Sequence, residues 1–307
     1  MVFAENDEND ETSKHNSENE VDADNSWSDL QLASAEGDLN RVLHLLSLNH
    51  NPNEPPTGYY GKTALQAASS AGHLSAVKAL LSSGAVVDAP GGNNGGRTAL
   101  ALAAGGGHLE IVDLLLVRGA EINRAASRYM GRTALQAAAE GGHLDVVKRL
   151  LDKGADVNAL PAHNNGRTAL QGVAAAGQHM ELVELLLARG AWVNTPLMKY
   201  KGLSALQAAA LGGNVAMVER LLAAGADVNA PGSYYNGYTA LYAAAEAGHM
   251  GIVKLLLEAG ANALMVAGNK YWTPFQVATF RGHTQVASRL KEAECETETT
   301  TTDHVQA

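Results

Sequence analysis

The chain is nearly free of cysteine, with Cys295 as the only one among its 307 residues. A single cysteine cannot form a disulfide within the chain. The sequence therefore excludes the small secreted folds that are held together by a disulfide framework, and it favours a protein of a reducing compartment.

Long apolar runs are absent as well. No stretch approaches the roughly 18 apolar residues that indicate a membrane-spanning helix. The first residues contain neither the basic nor the apolar region of a secretory signal peptide. We therefore expect a soluble intracellular protein, either cytoplasmic or nuclear, that has no membrane partner.

Basic residues are scarcer than acidic ones, with 22 Lys and Arg against 32 Asp and Glu and a formal net charge of −10. The acidic excess lies at the two ends: residues 1–25 contain nine acids and one base, and residues 291–307 contain five acids and one base. The part between them has 18 acids and 20 bases, so it is close to neutral. This balance predicts acidic disordered tails over 1–26 and 292–307. It argues against nucleic acid as a partner, because no strongly basic stripe is present.

What the sequence has in abundance is one repeated unit, best preserved over residues 131–158. Counted from Thr133, successive units are 34 to 36 residues apart, with equivalents at Ser28, Thr63, Thr98, Thr168, Ser204, Thr239 and Thr273. A fixed period of this length is typical of a repeat array, which we place at residues 27–291.

Each unit predicts two helices. Thr133 is a suitable N-cap, and Gln136 three residues later completes a capping box. An alanine-rich first helix follows and ends at a Gly-Gly pair, because glycine adopts the left-handed conformation of a helix terminus. The second helix has Leu144, Val147 and Leu150 on one apolar stripe. So narrow a stripe cannot form a core alone, whereas stacked copies can.

These residues resemble the ankyrin repeat. The resemblance rests on Thr-Ala-Leu-Gln at 133–136, Gly-Gly-His at 141–143 and Gly-Ala-Asp-Val-Asn at 154–158. Among ankyrin arrays, the chain resembles those with fungal-type consensus repeats. The resemblance implies an all-α solenoid of about eight helix-turn-helix units with β-hairpin connections. It also implies a concave face and hairpin tips that bind a protein partner without catalysis.

Histidine recurs once per unit in most of the array, at His73, His108, His143, His179, His249 and His283. No second ligand stands at metal spacing beside any of them. The resemblance implies that this histidine fixes the turn by hydrogen bonding. No nucleophile with a base and an orienting group stands out either, so we predict no metal, no cofactor and no enzyme.

Residues that the repeat does not dictate are the candidates for partner binding. Tyrosine is concentrated in the connections, where it can either bind a partner or pack as a ladder on the next connection; the sequence leaves both open. The seventh residue after the cap faces the concave groove in the ankyrin-like arrangement, and it is large at Leu211 and Phe280. The predicted partner-binding set is Tyr200, Leu211, Tyr234, Tyr235, Tyr242 and Phe280, with Glu140 and Glu246 at its border favouring a partner with a basic rim.

The function that follows is a monomeric, non-catalytic scaffold for a protein partner. Two alternatives stay open on the sequence. One is an adaptor that recruits a client to an enzyme complex through its acidic tails, and the other is an enzyme or accessory protein of a biosynthetic pathway.

Overall fold

A computed structural model describes residues 27–56, 61–92, 96–124, 131–162, 166–195, 202–233, 237–267 and 271–303. The predicted N-terminal tail over 1–26 lies outside the described residues. Within these ranges the chain forms sixteen helices in eight pairs and no extended strand. The predicted all-α solenoid of about eight units is therefore confirmed.

The helices follow one another in pairs, the first short and the second mostly nine residues long. Their bounds are α1 Asp29–Glu36, α2 Leu39–Ser47, α3 Ala64–Ala71, α4 Leu74–Ser82, α5 Ala99–Gly105, α6 Leu109–Val117, α7 Ala134–Glu140, α8 Leu144–Asp152, α9 Ala169–Ala176, α10 Met180–Ala188, α11 Ala205–Leu211, α12 Val215–Ala223, α13 Ala240–Ala247, α14 Met250–Glu258, α15 Pro274–Arg281 and α16 Thr284–Asp303.

Each first helix begins at a capped threonine or serine. In α7 the Gln136 amide donates to the Thr133 hydroxyl and the Thr133 amide donates to the Gln136 side chain, so two amides that the helix leaves free are satisfied. The same box closes α1, α3, α9, α11 and α15. The Gln136 side chain also donates to the Ala159 carbonyl at 2.9 Å, which ties the first helix to the connection that follows.

The core runs the whole length of the array. In α8 the residues buried completely are Val146, Val147 and Leu150, whereas Leu144 and Leu151 are half-buried at its edge. The buried stripe is thus centred on Val147 and Leu150, as the sequence predicts, but it is flanked by Val146. Each unit covers the apolar side of its neighbour, so one continuous core forms from units too thin to fold alone.

The array curves toward its first helices. Successive first helices pack on one another along much of their length, whereas successive second helices meet over a shorter distance. Small side chains allow this close approach, since alanines such as Ala103, Ala138 and Ala209 are fully buried between helices. We call the concave surface formed by the first helices and the residues just before them the inner face.

Two details differ from the sequence prediction. The β-hairpin connections are not confirmed: within the described ranges one isolated antiparallel bridge joins Ala267 to Trp272, and the tips of the connections lie outside those ranges. At the other end, the sequence predicts disorder from residue 292, whereas α16 continues to Asp303. Ala293 and Glu294 are buried there, and Glu294 accepts a hydrogen bond from the Thr273 hydroxyl at 3.0 Å, which anchors the added helical turns.

Candidate functional site

Two positions of each unit meet on the inner face. One is the residue just before the cap, and the other is the seventh residue after it, at the end of the first helix. Lys62 donates to the Ser70 hydroxyl at 3.1 Å, and the ring centroids of Trp272 and Phe280 lie 4.9 Å apart. In both pairs the two residues are eight positions apart in sequence. The residue before a cap therefore lies beside the end of the first helix of its own unit.

The residues before the cap change character along the array. In the second to fifth units they are cationic, and we call Lys62, Arg97, Arg132 and Arg167 the cationic row. In the sixth to eighth units they are Leu203, Tyr238 and Trp272. Together with Leu211, Tyr242 and Phe280 on the adjoining helices, these three form what we call the apolar end of the inner face.

Glu140 is the counter-ion of the cationic row. Its carboxylate accepts from Nε of Arg132 at 2.8 Å and lies 3.7 Å from Arg167. The Arg132 side chain is only 8% exposed, so this pair is largely shielded from water. Burial alone would raise the pKa of the Glu140 carboxyl, but the hydrogen bond from Arg132 and the charges of Arg132, Arg167 and Arg97 lower it below its usual value.

The cations of the row are close enough to affect one another. Burial and the neighbouring Arg97 lower the pKa of Lys62. Burial and the neighbouring Arg132 likewise lower the pKa of Arg97, against an opposing effect of Glu140. Within the described part of the chain, neither Lys62 nor Arg97 forms an ion pair with a carboxylate. One carboxylate therefore faces the three arginines of the row, and Lys62 lies at the far end beside Arg97.

The apolar end exposes large side chains. Phe280 is 63% exposed and Leu211 is 37% exposed. Tyr238 stacks on Tyr242 with 5.9 Å between ring centroids, and Tyr242 itself is only 8% exposed. Tyr242 is thus largely a core residue that supports the surface, whereas Leu211 and Phe280 form part of that surface.

The other predicted binding residues have different positions. Tyr200, Tyr234 and Tyr235 lie outside the described residues. Glu246 forms an ion pair with Arg281 at 2.5 Å, as Glu140 does with Arg132. Both carboxylates are therefore engaged within the chain, and their contribution to a partner's basic rim stays a prediction.

The cationic row itself was missed by sequence reasoning. Its signal is visible, since Gly-Lys-Thr and Gly-Arg-Thr begin the units at 61–63, 96–98, 131–133 and 166–168. Because these triplets stand in register with the capping threonines, the sequence allows them to be interpreted as part of the repeat alone. What that interpretation overlooks is that a position in register along a stacked array forms a continuous line.

The histidines lie at the turns between paired helices. Nε2 of His143 is 3.0 Å from the Gly105 carbonyl of the preceding unit, and His73, His108, His249 and His283 make the equivalent contact. A carbonyl can only accept, so Nε2 carries the proton in each of these contacts. Within the described ranges no group of three potential metal ligands occurs. That the histidines bind no metal stays a prediction.

The ion pair of Glu140 predicts a pH dependence. Because the pKa of Glu140 is lowered in the folded chain, its contribution is complete above the pKa of the unfolded chain, about 4.3, and is lost as pH falls through the folded value. We expect Glu140→Gln to lower the free energy of unfolding at pH 7 by about 1.5–3 kcal/mol, and this difference from wild type to shrink below about pH 4. Urea unfolding at several pH values measures it.

The matched control for that experiment is Glu121→Gln. Glu121 forms a surface ion pair with Arg124, and its side chain is 62% exposed. Such pairs contribute about 0–1 kcal/mol. A loss at pH 7 that is as large for Glu121→Gln, or a Glu140→Gln loss that persists unchanged in acid, would contradict the assignment.

Comparison with known proteins finds one family model that matches nearly the whole array. A family model described as ankyrin repeats (three copies) matches residues 30–126, 89–161, 125–197, 159–232 and 206–303. No curated protein matches the chain. Within the described residues no helix has the length and apolar character to cross a membrane.

Proposed function

Because the chain belongs to the ankyrin repeat family, whose arrays generally mediate protein–protein interaction and are typically non-catalytic, we propose that it is a scaffold that holds a protein partner on its inner face. The array fits this function in form, since its first helices line a concave surface that continues from unit to unit. A stack of eight units is long enough for an interface of about 800 Å² per partner.

The observation that carries the proposal is the change of residue type along this face. In the second to fifth units the seventh residue after the cap is small or polar and only half-buried, as at Ser70, Gly105 and Ala175. At the apolar end the same position is Leu211 in the sixth unit and Phe280 in the eighth, which leaves large apolar side chains facing water, and it is the ion-paired Glu246 in the seventh. Binding energy at protein interfaces is concentrated in a few large anchors of this kind, surrounded by residues that contribute little.

Capture from native extract tests the proposal. The immobilised full-length chain is compared with a Leu211→Asp/Phe280→Asp variant, which places two charges on the apolar end without changing buried residues. We expect the specifically captured protein to be reduced by about tenfold or more, because each anchor of this kind contributes on the order of 1–2 kcal/mol. Quantitative mass spectrometry of the eluates measures the ratio.

The control for this experiment is Val117→Asp. Val117 is 82% exposed at the end of α6, a second helix, so it lies away from the inner face. This variant should capture the partner as well as wild type does. Equal capture by all three proteins, or equal loss in both variants with melting temperatures unchanged, would overturn the placement of the site on the inner face.

A further inference from the structure

The cationic row carries more positive charge than the carboxylates of the described residues neutralise. The first helices α3, α5, α7 and α9 contain a single ionisable residue among them, Glu140, which faces the three arginines of the row. Arg132 uses this carboxylate most fully, through both Nε and an Nη atom. Arg167 is 40% exposed and lies at the longer distance of 3.7 Å. The row therefore has a net charge of about +3 at neutral pH.

Keeping Lys62 and Arg97 in the row is costly, because both are partly desolvated beside another cation. The rest of the array uses its charges differently. At the second helices of the third to sixth units, Arg149 pairs with Asp113, Arg189 with Asp152 and Arg220 with Glu184, so each of the third, fourth and fifth units provides a counter-ion for the next. Lys62 and Arg97 have no such counter-ion among the described residues, so an acidic ligand can supply it.

The spacing of the row limits the shape of that ligand. Packed helices lie about 8–10 Å apart, and a chain in the extended polyproline II conformation advances about 3.1 Å per residue with three residues per turn. One unit therefore corresponds to one turn, or three residues, of a peptide in this conformation, and every third side chain lies on the same face of it. An acidic residue at every third position would meet Lys62, Arg97 and Arg167 in turn, with Glu140 already occupying Arg132.

We propose that the cationic row binds an extended, carboxylate-rich segment of the partner protein. Apolar residues at one terminus of that segment contact the apolar end of the inner face. The proposal rests on the proposed function and names the class of partner. The row and the apolar end adjoin on one surface, because Arg167 precedes the fifth unit and Leu203 the sixth. The two halves of the face thus have complementary roles: the cations select an acidic segment and the apolar end anchors it.

Fluorescence anisotropy with a synthetic probe tests this. The probe is a labelled peptide of about sixteen residues, with glutamate at every third position and Leu-Trp at one end, made in both directions; this length spans about five units. We expect one direction to bind the full-length chain, with affinity that falls as salt rises because charged contacts are screened. The same peptide with glutamine in place of glutamate should bind about tenfold more weakly or worse.

Matched variants locate the binding. Arg97→Gln/Arg167→Gln removes two charges from the row and leaves the Arg132–Glu140 hydrogen bonds in place. Arg118→Gln/Lys153→Gln removes two charges from exposed positions at the ends of α6 and α8. The first should weaken the probe about tenfold and the second less than about twofold, because only local charges are in contact.

Three results would overturn the proposal. The first is equal weakening by both double variants, which would show a response to net charge alone. The second is a single-stranded RNA of the same length that competes as well as the peptide, which would assign the row to phosphate. The third is a probe that does not bind while capture from extract still depends on Leu211 and Phe280; the acidic class would then be wrong and the scaffold proposal would stand.

Discussion

Replacing Leu150 by alanine is expected to lower the free energy of unfolding by about 2–5 kcal/mol. Leu150 is fully buried in α8, in the core that the fourth unit shares with its neighbours. Its removal loses apolar burial and leaves a cavity, and the rigid units on both sides restrict how far the structure can relax around it. Urea unfolding followed by circular dichroism measures the loss.

Leu160→Ala is the control for this substitution. Leu160 lies in the connection after the same unit and is 70% exposed. Its truncation should change the free energy of unfolding by less than about 0.5 kcal/mol. Similar losses for both leucines would mean that the core is not where the structure places it.

Most of the fold could be predicted because its determinants are local and repeat. The cap at Thr133, its box with Gln136 and the stripe through Val147 and Leu150 lie within one unit, and the structure confirms each of them. A solenoid places every unit against the next in the same way. Recognising the period of 34 to 36 residues therefore gives the helix pairs and their stacking together.

The candidate site could be predicted only in part, because it depends on which side chains meet. Leu211 and Phe280 were found from their position in the unit, and the structure places both at the surface. Tyr242 stands out in sequence as a departure from the capping glutamine, yet it is buried against Tyr238. The pairing of Arg132 with Glu140 follows from the path of the connection, which local propensity does not determine.

The length of the C-terminal helix α16 also depends on contacts that local sequence does not determine. Composition favours disorder after residue 291, since glutamate and threonine dominate there. Helix α16 continues instead because Ala293 packs on the last unit and Glu294 is bound by Thr273. The contact between Thr273 and Glu294 is a tertiary contact between residues about twenty positions apart. Sequence composition and periodicity do not predict it.

Two glycines of the third unit allow the cost of backbone strain to be compared with the cost of a contact between units. Gly107 and Gly119 lie two residues after the ends of α5 and α6, with positive φ of 74° and 87°. At Gly119 an added Cβ would meet nothing within 4 Å, whereas at Gly107 it would lie 2.5 Å from Nδ1 of His143 in the next unit. Both positions share the backbone strain, and only Gly107 has the neighbouring ring.

We expect Gly119→Ala to cost about 1–2 kcal/mol, the penalty of a left-handed conformation. Gly107→Ala should cost about 2–4 kcal/mol, because the imidazole must also move and its hydrogen bond to Gly105 adds about 0.5–1.5 kcal/mol. Chemical unfolding of both variants, each also in a His143→Ala background, measures the coupling between the two residues. In that background Gly107→Ala should cost no more than Gly119→Ala does. Equal costs in the wild-type background would show that this histidine does not hold neighbouring units together.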